Sequence, residues 1–255
     1  MLKEFLCDVD NFVSKIPEVS VIPMFNNEGN AVISGKSNDN QVFFSIRSKE
    51  SYDKEEFAFR DWVVISSALS SFSKEDNFDV KLETTKDKDS GKDFPSRIVF
   101  KTKSLSINHF LQKYPAIQKS EQVLKQYKDR RFIIPEAKNG LEIPNVDSNN
   151  INELLKVSAI LGKKDFSLDL ESRKLFYCLG DTNSKSSDNA KIMINDEVLS
   201  LPTDKLYFSI QAYTSLIKAF NYNCKIYLTK SRIYIFGETE FNKCTFVING
   251  KANES

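Results

Sequence analysis

The chain repeats its own order of elements, and this limits the folds open to it more than any single motif. A helix, three strands, a second helix and three more strands can be read in the first half and again in the second. Leu2, Phe5, Leu6, Val9, Phe12, Val13 and Ile16 fall at helical spacing, and Pro17 ends the run. The strands "VSVIPMF", "NAVISGK" and "QVFFSIRS" follow, the first two divided by the turn signal "FNNEGN". A second helix is expected in "FRDWVVISSALSSFSK", with Asp61 as its cap and Val64 or Ile65, Ala68, Leu69 and Phe72 turned inward. Then come "FDVKLET", "RIVFKT" and "LSINHFL".

The second half opens with the helix "INELLKVSAILGK", which should bury Ile151, Leu154, Leu155, Ser158 and Leu161. The strands "FSLDLE", "KLFYCLG" and "AKIMIND" come next, then the helix "SIQAYTSLIKAFN" burying Ile210, Tyr213, Leu216 or Ile217, and Phe220. "CKIYLT", "RIYIFGE" and "KCTFVING" close the series. The correspondence reaches individual residues: "LSSFSKEDNFDVKL" lies over "IKAFNYNCKIYL". A period of about 100 residues is too long for a solenoid and marks a duplicated domain. The expected division is residues 1–113, a connector over 114–139 holding Lys119, Lys125, Lys128, Arg130 and Arg131, and residues 140–255, with "LEIPNV" as an extra opening strand. The fold class is α+β: two tandem domains, each an antiparallel sheet system with two helices on an inner face.

Catalytic chemistry finds little support. His109 is the chain's one histidine and lies inside a predicted strand. Cys7, Cys178, Cys224 and Cys244 form no CxxC pair, so no metal site is expected and buried free thiols are the simpler reading. No glycine-rich phosphate loop is present, and no cofactor is expected. Free thiols suit a reducing, cytoplasmic setting. The start "MLKEFLCDVDNFV" does not read as a signal peptide, and no apolar run is long enough to span a membrane.

Lys and Arg number 36 against 35 Asp and Glu, so bulk charge drives no association with nucleic acid. Local segregation could. The polar helix faces offer Lys3, Asn11, Ser14 and Lys15, beside Asp8 and Asp10; then Ser66, Ser67, Ser70, Ser71 and Lys74. The second half offers Asn152, Lys156, Lys163 and Lys164, and Gln211, Thr214, Ser215 and Lys218. Any one such face is an ordinary solvated surface. Four together suit a shallow contact with phosphates, and no aromatics are interleaved for base stacking.

The stretch "NINELLKVSAILGKKDFSLDLESRKLFYCLGD", continued by "YFSIQAYTSLIKAFNYNCKIYL", resembles the processivity clamps of tailed phages. Proliferating cell nuclear antigen is similar in shape at greater distance. The resemblance implies a non-enzymatic ring of three two-domain subunits that encircles double-stranded DNA, tethers a DNA polymerase and is loaded by a clamp loader ATPase, in the host cytoplasm if viral. It implies DNA-facing Lys3, Lys15, Lys74, Lys156, Lys163, Lys164 and Lys218. It implies a self-interface between Leu105, Ile107 and His109 of one subunit and Ile192, Met193 and Ile194 of the next. It also implies a partner-peptide pocket at Ile133, Ile134, Pro135, Phe246 and Ile248. The competing expectations are a viral structural or scaffold protein of two β-rich domains and, behind it, a nuclease built on Asp and Glu clusters.

Overall fold

The computed structural model describes all residues except 1, 18, 20–21, 28, 52–56, 73–77, 87, 89–90, 114–139, 145, 182–187, 196–197, 199, 203–204 and 253–255. The expected connector, with its five cations, lies outside the described residues. The chain divides into two compact units: residues 1–38, 43–131 and 238–244, and residues 39–42, 132–237 and 245–255.

In the first unit α1 (Leu2–Val13) is followed by β1 (Ile22–Asn27), β2 (Asn30–Lys36), β3 (Val42–Ser51) and β4 (Phe57–Phe59). Then come α2 (Trp62–Phe72), β5 (Asp79–Lys86), β6 (Asp93–Lys101) and β7 (Ser106–Lys113). The strands run β5-β6-β7-β4-β1-β2-β3, and the pairings Met24 with Ile33, Ile22 with Phe59, and Phe59 with Leu111 are antiparallel. Helix α1 stops three residues short of its expected end, and the chain then tightens, Ile16 N donating to Val13 O at 3.0 Å. Its apolar stripe is buried as the spacing requires: Phe5, Leu6, Val9, Phe12 and Val13. In α2 the inward set is Trp62, Ile65, Ala68, Leu69 and Phe72, while Val64 faces out. Asp61 accepts from Val63 N at 2.9 Å, as a capping residue should.

The second unit contains β8 (Leu141–Glu142), α3 (Ser148–Leu161), β9 (Asp165–Glu171), β10 (Lys174–Leu179), β11 (Ala190–Asn195) and β12 (Tyr207–Ser209). It ends with α4 (Ile210–Ala219), β13 (Cys224–Leu228), β14 (Arg232–Glu238) and the larger part of β15 (Asn242–Asn249), whose first three residues belong to the first unit. One sheet runs β11-β10-β9-β12, and β15, β14, β13 and β8 are neighbours in turn. Of the predicted opening strand "LEIPNV", the first two residues form β8, paired with β13. Phe166, Tyr177 and Tyr213 form the aromatic centre, with the two buried hydroxyls 2.9 Å apart. Helix α3 is closed at both ends. Asp147 accepts from Asn150 N at 2.9 Å while Asn150 Oδ1 accepts from Asp147 N, and Gly162 turns the chain out at φ 65°.

The duplication is fuller than the sequence suggested. Each unit has a fourth, three-residue strand immediately before its second helix: β4 in one, β12 in the other. Strand β4 pairs with β7, and Tyr207 of β12 makes the matching bridge to Lys251, just past β15.

Candidate functional site

Two helices in each unit carry the residues expected to meet DNA. Two acidic residues of α1, Asp8 and Asp10, are drawn into hydrogen bonds. Asp10 accepts from Trp62 Nε1 at 2.9 Å and from Ser66 Oγ at 3.2 Å. Asp8 accepts from Thr239 Oγ1 and Asn242 Nδ2. Burial pushes the Asp10 carboxyl above its ordinary range, against the pull of its two hydrogen bonds.

Lys15, Lys156, Lys164 and Lys218 are exposed, and Lys3 and Lys163 are half-buried. Lys74 lies outside the described residues. The backbone of Lys163 closes α3: its N donates to Ser158 O, and its carbonyl accepts from Ser158 Oγ at 2.6 Å. The Lys3 ammonium sits 4.0 Å over the Phe78 ring. Ser67, Ser70, Ser71, Asn152 and Gln211 face solvent, as does Glu153, which dilutes the positive face of α3. Thr214 departs from expectation. It is buried, because its Oγ1 satisfies itself on Ile210 O at 2.8 Å and its methyl can then face the core. Leu155, Ser158 and Leu161 are only half-buried.

The candidate self-interface divides by strand parity. Strand β7 pairs with β6 over Ser106–Phe110 and with β4 over Leu111–Lys113. Ser106–Phe110 therefore has one side without a strand partner among the described residues. Ile107 and His109 are half-buried on the face shared with Leu111, whereas Phe110, of opposite parity, is 67% exposed; Leu105, in the turn before β7, is 50% exposed. His109 Nε2 is buried with no hydrogen-bond partner among the described residues, and desolvation lowers its pKa. Among the described residues strand β11 ends its sheet. Ile192 and Ile194 point into their own unit's core, so as contact side chains these two expectations are corrected, while Met193 between them is 51% exposed. Phe110 and Ile160 were not singled out from the sequence. The signal was present: each is a large apolar residue out of phase with its strand or helix, and Ile160 is 71% exposed.

The expected peptide pocket is corrected in its described part. Phe246 and Ile248 are fully buried core side chains of β15, both on the inward phase of the strand. Ile133, Ile134 and Pro135 lie outside the described residues. Among the described residues no group of three or more His, Cys, Asp or Glu is placed to hold a metal ion. Burial raises the Cys178 thiol to about 11 and the Cys224 thiol to about 12, far from a reactive thiolate.

The sequence matches no protein-family model and no curated protein. Solved structures do match. The chain is similar to A. fulgidus PCNA, solved with the C-terminal region of FEN-1 bound, at TM-score 0.62 and 14% identity over 99% of this chain and 97% of that one. The fold is clamp-like. A second likeness is to the PCNA2–PCNA3 complex of Sulfolobus tokodaii, at TM-score 0.56 and 10% identity, covering 98% and 97% of the two chains. A third is to the H. pylori beta clamp in complex with 5-chloroisatin, at TM-score 0.62 and 11% identity over 97% of this chain and 63% of that chain. The clamp-like fold thus has two repeated α+β domains, the class expected from the sequence.

Proposed function

We propose that this chain is the subunit of a DNA sliding clamp of tailed-phage type. It is a non-enzymatic homotrimeric ring that encircles duplex DNA in the host cytoplasm, tethers the replicative polymerase and is loaded by an ATPase clamp loader. The observation that carries this reading is the duplicated helix–strand unit with a clamp-like fold over 99% of the chain. The helix faces support it. They expose Lys15, Lys156, Lys164 and Lys218 among small polar groups, and Asp8 and Asp10 of α1 are held in hydrogen bonds. Sparse lysines without aromatic neighbours suit weak, sequence-independent phosphate contact, which permits sliding.

Retention should be topological. With loader and ATP, the protein is expected to remain on nicked circular DNA through gel filtration and to be lost once the circle is cut. Equal retention on linear and circular DNA would point to ordinary binding and refute the ring. Lys156→Glu with Lys218→Glu is expected to weaken retention on circles while leaving subunit assembly intact.

A further inference from the structure

The two repeats differ at one strand edge. In the second unit β13 is covered by β8: Leu141 pairs with Leu228, Glu142 with Tyr227, and Ile143 N donates to Ile226 O at 2.8 Å. Ile143 is buried there. The matching strand of the first unit is β5, which likewise follows the second helix and begins the last three strands. Strand β5 ends its sheet, with β6 on one side and no strand on the other among the described residues. Among the described residues this eight-residue strand thus has one open edge.

A cleft of about 700 Å³ lies between the first turn of α1 and the neighbouring ends of β5 and β6. Lys3, Lys81, Lys101 and Lys103 line it, against Glu4 and Asp79. Lys101 lies across the ladder from Asp79, and Lys81 meets Asp79 at 3.7 Å. Both side chains of that pair are about three-quarters exposed, so the pair is weak. Lys103 is held at the tip of a turn in which Thr102 N donates to Leu105 O and Thr102 Oγ1 accepts from Ser104 N and Leu105 N. Lys101 and Lys103 form no ion pair among the described residues. Phe78 is buried beneath Lys3 and offers no face to a nucleic-acid base. An open strand edge offers alternating N–H and C=O groups, which a peptide backbone can match and a phosphodiester cannot.

We propose that the free edge of β5 is a docking site for an extended acidic peptide segment of a partner protein. The segment adds as a short antiparallel strand, as β8 does on β13, and sets its carboxylates against Lys81, Lys101 and Lys103. Aligning the repeats puts Val80 where Ile226 stands, so Val80 O accepts the peptide's N–H. The site goes beyond the ring reading and does not depend on it.

The test uses the full chain and a capped peptide of alternating Glu and Val, with hydrogen exchange read over Phe78–Leu82 and affinity by fluorescence anisotropy. The peptide is expected to slow exchange there. Lys81→Glu with Lys101→Glu should weaken it by about tenfold or more, with the melting temperature unchanged. N-methylation of alternate residues in the peptide should weaken it similarly, since the ladder bonds are lost. Absence of binding, or binding indifferent to both changes, overturns the proposal. So does β5 protection that rises with protein concentration alone, which would assign the edge to a second copy. Single-stranded DNA that protects β5 and displaces the peptide would assign it to phosphates instead. Subunit mass and DNA retention are measured separately, so the ring reading stands or falls on other data.

Discussion

At the scale of single residues, Asp10 shows how a carboxylate on a helix expected to meet phosphates becomes structural. Its carboxylate holds the indole N–H of Trp62, a side chain only 2% exposed, and the hydroxyl of Ser66. Asp10→Ala would leave a buried N–H without an acceptor, and the expected loss is about 1–3 kcal/mol in urea denaturation. Asp10→Asn keeps an acceptor and removes the half-buried charge. The sign with pH follows from the raised pKa. The folded protein holds the Asp10 proton more tightly than the unfolded chain, so this group's contribution is fully present below the ordinary value of 3.8 and is lost as pH rises through the raised value. The Asn variant does not titrate. Its stability relative to the parent should therefore improve as pH climbs through that window, and a flat difference between paired urea curves would contradict the assignment.

At the scale of elements, the long ones are legible because their periodicity is strong. Helix α1 buries five apolar residues at 3.6-residue spacing, and β2 matches its predicted span end to end. What escaped is short or conditional. Strands β4 and β12 have three residues each, too few to show alternation, and they exist because β1 and β9 offer them an edge. The candidate interface was legible as strands but not as side chains. Parity decides that Met193 faces out while Ile192 and Ile194 face in, and parity is fixed by which face the helices cover. Phe246 and Ile248 failed as pocket residues for the same reason. Helix α3 gives the direct test at this scale. Asp147→Ala removes one half of the reciprocal cap with Asn150 and should cost about 0.5–2 kcal/mol. Gly162→Ala forces a side chain into φ 65° and should cost about 1 kcal/mol, although nothing lies within 4 Å of the added methyl. Paired thermal melts of the two variants read both numbers.

At the scale of the whole molecule, the question is whether two different strand edges recognise each other between subunits. The β7 edge carries exposed Leu105 and Phe110, and the β11 edge carries exposed Met193. These are unlike surfaces, so the contact between copies would be head to tail, and such contacts close into rings when the rotation allows. A ring of three should have a solution mass three times the 29.2 kDa subunit. Phe110→Asp spoils one edge and Met193→Asp the other, so each variant alone should scatter light as a monomer. An equimolar mixture is the sharper case. One intact β7 edge on one variant can still meet one intact β11 edge on the other, but nothing remains to join a third subunit. The mixture should therefore scatter as a dimer that cannot close. If like edges paired instead, one of the two variants would keep the parent mass and mixing would rescue nothing. That outcome would remove the head-to-tail ring, and with it the topological hold on DNA.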